Sequence, residues 1–152
     1  MSLEENGRSQ TDFFFNFVKI LIMIQRIQTL YLFVAAILSA LSAFILPMYS
    51  LDGESFAATA NASTFGGFGA LMAFFSGSIL LYKNRNLQLL IVRLGMVICL
   101  LVLGALIWII QGNGASADWG VVIPFINVVL AFMASKGIQK DEAKVRSLDR
   151  LR

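Results

Sequence analysis

Four long apolar runs constrain this chain more than any other feature. They cover roughly residues 27–46, 66–82, 87–110 and 119–135. Pro47 stops the first, Lys83-Asn84-Arg85 the second, Gln111-Gly112-Asn113-Gly114 the third and Lys136 the fourth. A helix needs about 20 predominantly apolar residues to cross the hydrocarbon core of a bilayer. The strands of a membrane barrel would instead show segments of about ten residues with alternating polarity. These runs are apolar on every side, so helices are the way to satisfy their backbone in lipid. Composition agrees, with 58% hydrophobic and 14% charged residues, against about 25% charged in a soluble domain. The expected fold is an all-α membrane protein with four transmembrane helices over residues 23–136.

Basic residues set the expected orientation. Arg8, Lys19, Arg26, Lys83, Arg85, Lys136, Lys140, Lys144, Arg146, Arg150 and Arg152 fall in the two ends and the middle connection. Residues 47–65 and 111–118 hold no lysine or arginine, but carry Asp52, Glu54 and Asp118. By the positive-inside rule both termini are cytoplasmic. Arg93 lies about two turns inside the third run, within snorkelling reach of the headgroups. Tyr31 and Tyr82 near one interface, with Tyr49, Trp108 and Trp119 near the other, give the same topology.

Inside the runs, small residues recur every fourth position. Ala35, Ser39 and Ala43 do so in the first, and Gly69, Ala73 and Gly77 in the second. Such rows let helix backbones approach closely where lipid is as apolar as leucine. Asn127 is the strongly polar side chain near the middle of a run and shares a face with Ala131 and Ser135. Its amide needs a partner, and the hydroxyl of Ser39 or Ser76 on a neighbouring helix is expected to supply one. These nine residues are read as helix-packing positions.

Residues 1–22 read as an N-terminal extension that lies flat on the membrane or lacks order, with Met23 as the expected start. Residues 137–152 carry five basic and three acidic residues. Ile138, Val145, Leu148 and Leu151 recur at helical spacing, and Glu142 precedes Arg146 by four, which predicts a short amphipathic cytoplasmic helix. Gln25, Arg26, Gln28, Arg93, Asp141, Glu142, Arg146, Asp149 and Arg150 form the expected surface for a cytoplasmic partner.

Chemistry-bearing motifs are missing from the sequence. Cys99 is the single cysteine and histidine does not occur, so no intrachain disulfide can form and the usual zinc, haem or iron–sulfur ligands are lacking. Neither a phosphate loop nor a nucleophile elbow occurs. Gly66-Gly67-Phe68-Gly69 opens a membrane helix and follows no strand. The basic residues follow topology and form no nucleic-acid stripe. No catalytic, cofactor or metal site is therefore expected.

Met23-Ile24-Gln25-Arg26-Ile27-Gln28-Thr29-Leu30-Tyr31-Leu32 and the closing stretch from Lys140 to Arg152 resemble, as a pair, the two ends of a family of small bacterial membrane proteins. That family occurs in Bacteroidota and is catalogued as a domain of unknown function (domain-of-unknown-function 4293). The resemblance spans residues 23–152 and implies a bacterial inner-membrane location with four helices; it implies no activity. The expected function is a non-enzymatic accessory or structural subunit, with the bilayer and a membrane-protein partner or a second copy as its contacts. A small oligomeric transporter or channel lined by Asn127, Ser135 and Arg93 is the alternative, and a membrane-embedded lipid-modifying enzyme the third.

Overall fold

A computed structural model describes residues 27–149, apart from the side chains of residues 144–146, 148 and 149. Four of its helices are long and apolar enough to cross a membrane. Helix α1 is Ile27–Phe44, α2 is Ala62–Leu80, α3 is Arg85–Asn113 and α4 is Ile123–Asp149. Strands β1 (Pro47–Leu51), β2 (Glu54–Ala57) and β3 (Ser116–Ala117) lie in the two connections at one end, here called the hairpin end. The α2–α3 turn lies at the opposite, basic end.

Helix α3 packs along both α2 and α4. Helix α1 bonds to α4 through side chains and meets α2 where the Phe44 and Phe65 rings stand edge to face at 5.5 Å. The core between them includes Leu32, Ala35, Phe68, Leu71, Phe75, Val92, Leu106 and Ala131, all fully buried. The outward faces are just as apolar, with Phe33, Leu90, Leu101, Phe125 and Val129 largely exposed. A water-soluble monomer rarely shows apolar area on that scale. This is a multi-pass membrane protein by the length and character of its helices.

The helix ends have local causes. Pro47 lacks the N–H that would continue α1 and opens β1, a position where a strand tolerates it. Gly114 sits at φ 64° and closes α3, while the Ala115 N–H returns to the Ile110 carbonyl at 3.0 Å. This left-handed stop favours a residue without a Cβ. Pro124 sits in the first turn of α4, where its missing N–H costs no intrahelical bond.

Four expectations about the elements need correction. The connections at residues 47–65 and 111–118, read as loops, build a three-stranded antiparallel sheet of order β2-β1-β3. The all-α description therefore holds for the spans and not for the hairpin end. The second helix starts at Ala62 and the third runs on to Asn113, so polar Asn113 and Gly112 belong to a helix. The C-terminal segment is no separate amphipathic helix, because α4 continues unbroken to Asp149. At 1.5 Å per residue its 27 residues extend about 40 Å, longer than a hydrocarbon core of about 30 Å.

Candidate functional site

Two polar centres join α1 to α4 inside the bundle. The first lies in the hairpin-end half of the bundle, where the Asn127 amide donates to the Ser39 hydroxyl at 2.9 Å and Ser39 in turn donates to the Ala35 carbonyl at 2.8 Å. Both residues are fully buried. An interhelical bond of this kind contributes roughly 0.6–2 kcal/mol in a membrane. Ser39 is thus the partner, and Ser76, the other candidate, faces outward on α2. Asn127 Oδ1 and the Ser42 hydroxyl are also buried and have no hydrogen-bond partner.

The second centre is at the basic end. The Gln28 amide donates to Asp141 Oδ2 at 2.9 Å, and these side chains are 6% and 2% exposed. Gln28, Thr29, Tyr82, Arg85, Gln88 and Asp141 surround a cavity of about 20 Å³, with Ile138 as its apolar wall. Asp141 Oδ1 and Arg85 Nη1 are buried with no hydrogen-bond partner. Gly137 makes the approach of α1 and α4 possible, because a Cβ there would come within 2.6 Å of Gln28 Cγ.

The small and polar residues of α1 and α4 lie inside the bundle. Ala35, Ser39 and Ala43 line the interior of α1, and Asn127, Ala131 and Ser135 the interior of α4. Ser135 satisfies itself on the Phe132 carbonyl at 3.0 Å. Others do not. Gly69 and Ala73 face outward, and a Cβ added at Gly69 or Gly77 would meet nothing within 4 Å. The glycines that α2 and α3 use for close packing are Gly67, against Val102 at 2.5 Å, and Gly95, against Phe75 at 2.9 Å.

The expected cytoplasmic surface also changes. Gln28 and Asp141 are buried against each other, because α4 continues far enough to bring Asp141 beside the first turn of α1. Arg93 is exposed on the outer side of α3 and lines no interior path. Glu142 is half-buried. Gln25 and Arg26, and the side chains of Arg146, Asp149 and Arg150, lie outside the described residues. The exposed basic groups at this end include Lys83 and Lys140, and Lys136, whose ammonium sits 4.7 Å from the Phe132 ring centroid.

The hairpin end carries a third group of contacts. Asn61 donates to the Tyr49 hydroxyl at 2.7 Å, and Tyr49 stacks on Phe56 at 5.4 Å across the strands. Gly120 lets the second connection rest on the first, since a Cβ there would meet the Pro47 carbonyl at 2.5 Å. Among the described residues, no three His, Cys, Asp or Glu side chains come together as a metal site.

Comparison with known families adds one result. The family described as Domain of unknown function (DUF4293) matches residues 24–151. The chain belongs to the DUF4293 family. That match covers all four helices, both polar centres and the sheet, so they are features of a DUF4293 domain. Neither the curated proteins nor the solved structures compared with this DUF4293 chain give a match.

Proposed function

We propose that this protein is an inner-membrane accessory subunit of a bacterium, with both termini cytoplasmic, that acts by packing against a membrane partner and catalyses no reaction. The carrying observation is what the interior polar groups do. Ser39 with Asn127, and Gln28 with Asp141, are bonded to each other between α1 and α4, so they serve the chain's own packing. Among the described residues, most of the other buried side chains are apolar.

A partner's place is suggested by the outward face of α2. Gly66, Gly69 and Gly77 have open space where a Cβ would stand, and close helix approach within lipid favours such surfaces. The test is a pull-down of the tagged native protein in gentle detergent, read by mass spectrometry. A stoichiometric membrane partner is expected with the wild type and is lost with Gly69→Leu or Gly77→Leu. Neutralising Arg146 and Arg150 weakens that association if the cytoplasmic segment contributes. Recovery of the chain alone, or only as a homo-oligomer, removes the accessory reading.

One observation favours a small transporter as the second reading. Asn127 Oδ1 and the Ser42 hydroxyl are polar, buried and unpartnered at the α1–α4 seam, and polar groups at membrane depth often mark a path. Flux of ions or small solutes into sealed liposomes, abolished by Asn127→Leu, would establish it. Sealed vesicles with no flux would leave those atoms as packing defects.

A further inference from the structure

We propose that the cavity between α1, α3 and α4 at the basic end is an ordered-water site. One water there accepts a hydrogen bond from Arg85 Nη1 and donates one to Asp141 Oδ1. Asp141 is 2% exposed, and Gln28 satisfies only one of its two carboxylate oxygens. The other oxygen and Arg85 Nη1 are both buried and unpartnered, and their residues line the same cavity. Buried charged groups of opposite sign are costly unless something completes their hydrogen bonds.

The size and lining of the cavity select the guest. Its volume is about 20 Å³, above the roughly 10–15 Å³ that one water needs and too small for an organic solute. A cation would meet the guanidinium and an anion would meet the carboxylate. A neutral molecule that both accepts and donates satisfies the two at once. The resulting chain runs from Gln28 on α1 through Asp141 on α4 and the water to Arg85 on α3. It ties three helices where α4 leaves the bundle.

The experiment uses the full chain in lipid nanodiscs and a double-mutant cycle of Asp141→Leu with Arg85→Met. Each single change lowers Tm by about 2–4 °C. The double variant unfolds no lower than the worse single, because the charge stranded by the first change leaves with the second. Should Asp141→Leu fail to fold, Asp141→Asn completes the cycle. A second readout is nuclear magnetic resonance of the wild type, in which the Arg85 guanidinium protons show cross-relaxation to a slowly exchanging water. Additive losses in the cycle overturn the proposal, and so does a direct Arg85–Asp141 contact with no water between them.

Discussion

One methyl group at Gly137 decides how closely α1 and α4 pack. Glycine costs a helix about 1 kcal/mol relative to alanine, so Gly137→Ala would stabilise an isolated helix. Here the new Cβ would stand 2.6 Å from Gln28 Cγ and 3.0 Å from its amide nitrogen. Moving Gln28 breaks its bond to Asp141, and overpacking of this kind costs roughly 1–3 kcal/mol. Gly137→Ala is therefore expected to lower Tm in detergent, whereas Gly69→Ala, which meets open space, leaves it equal or higher. Identical responses would mean that neither glycine is a contact point. The sequence identified Ser39 and Asn127 because a lone amide within an apolar run must find a donor or an acceptor. Gly69 and Ala73 face outward, and helical spacing says which residues share a face, not whether that face meets a helix of the same chain or of another. Asp141 was read as exposed because it sits in a charged segment, and only the packing of α4 on α1 buries it.

At the level of elements, the hairpin connecting α1 to α2 was within reach of the sequence. Asp52-Gly53 lies between the strand-like stretches Tyr49-Ser50-Leu51 and Glu54-Ser55-Phe56. Asp-Gly is a strong hairpin signal, because the twist of the strands favours two successive residues with positive φ. Asp52 and Gly53 have φ of 52° and 87°, flanked by the paired Leu51 and Glu54. Hydropathy alone sees only a polar gap there. Hydropathy likewise ends the fourth span at the first lysine, whereas the helical backbone continues unbroken through Gly137. Gly53→Ala is expected to destabilise the hairpin by about 1 kcal/mol, and Asp52→Asn to leave it unchanged, since Asn also tolerates this conformation. Thermal unfolding of the two variants reads the difference. Equal stability of both would show that the sheet contributes nothing to holding α1 against α2.

For the whole molecule, the decisive quantity is which end of the bundle faces which side of the membrane. The sheet joins the α1–α2 connection to the α3–α4 connection, so both lie at one end of the bundle and the α2–α3 turn at the other. The hairpin end carries Asp52, Glu54 and Asp118 without a lysine or arginine, while the basic end carries Lys83, Arg85 and Lys140. Basic residues near membrane helices tend to be retained in the cytoplasm, so the proposed orientation with both termini cytoplasmic expects the sheet outside. Cysteine labelling tests this cleanly, because the native thiol of Cys99 is buried and stays silent to an impermeant maleimide. Ser55→Cys and Gln111→Cys, both at exposed positions, are expected to react in intact spheroplasts. Lys83→Cys and Lys140→Cys, exposed at the other end, are expected to react only after lysis. The opposite pattern would invert the protein and remove the cytoplasmic partner surface. Labelling of all four from one side would mean that the helices do not span, and the buried Gln28–Asp141 pair would then belong to a bundle lying on a membrane and not through it.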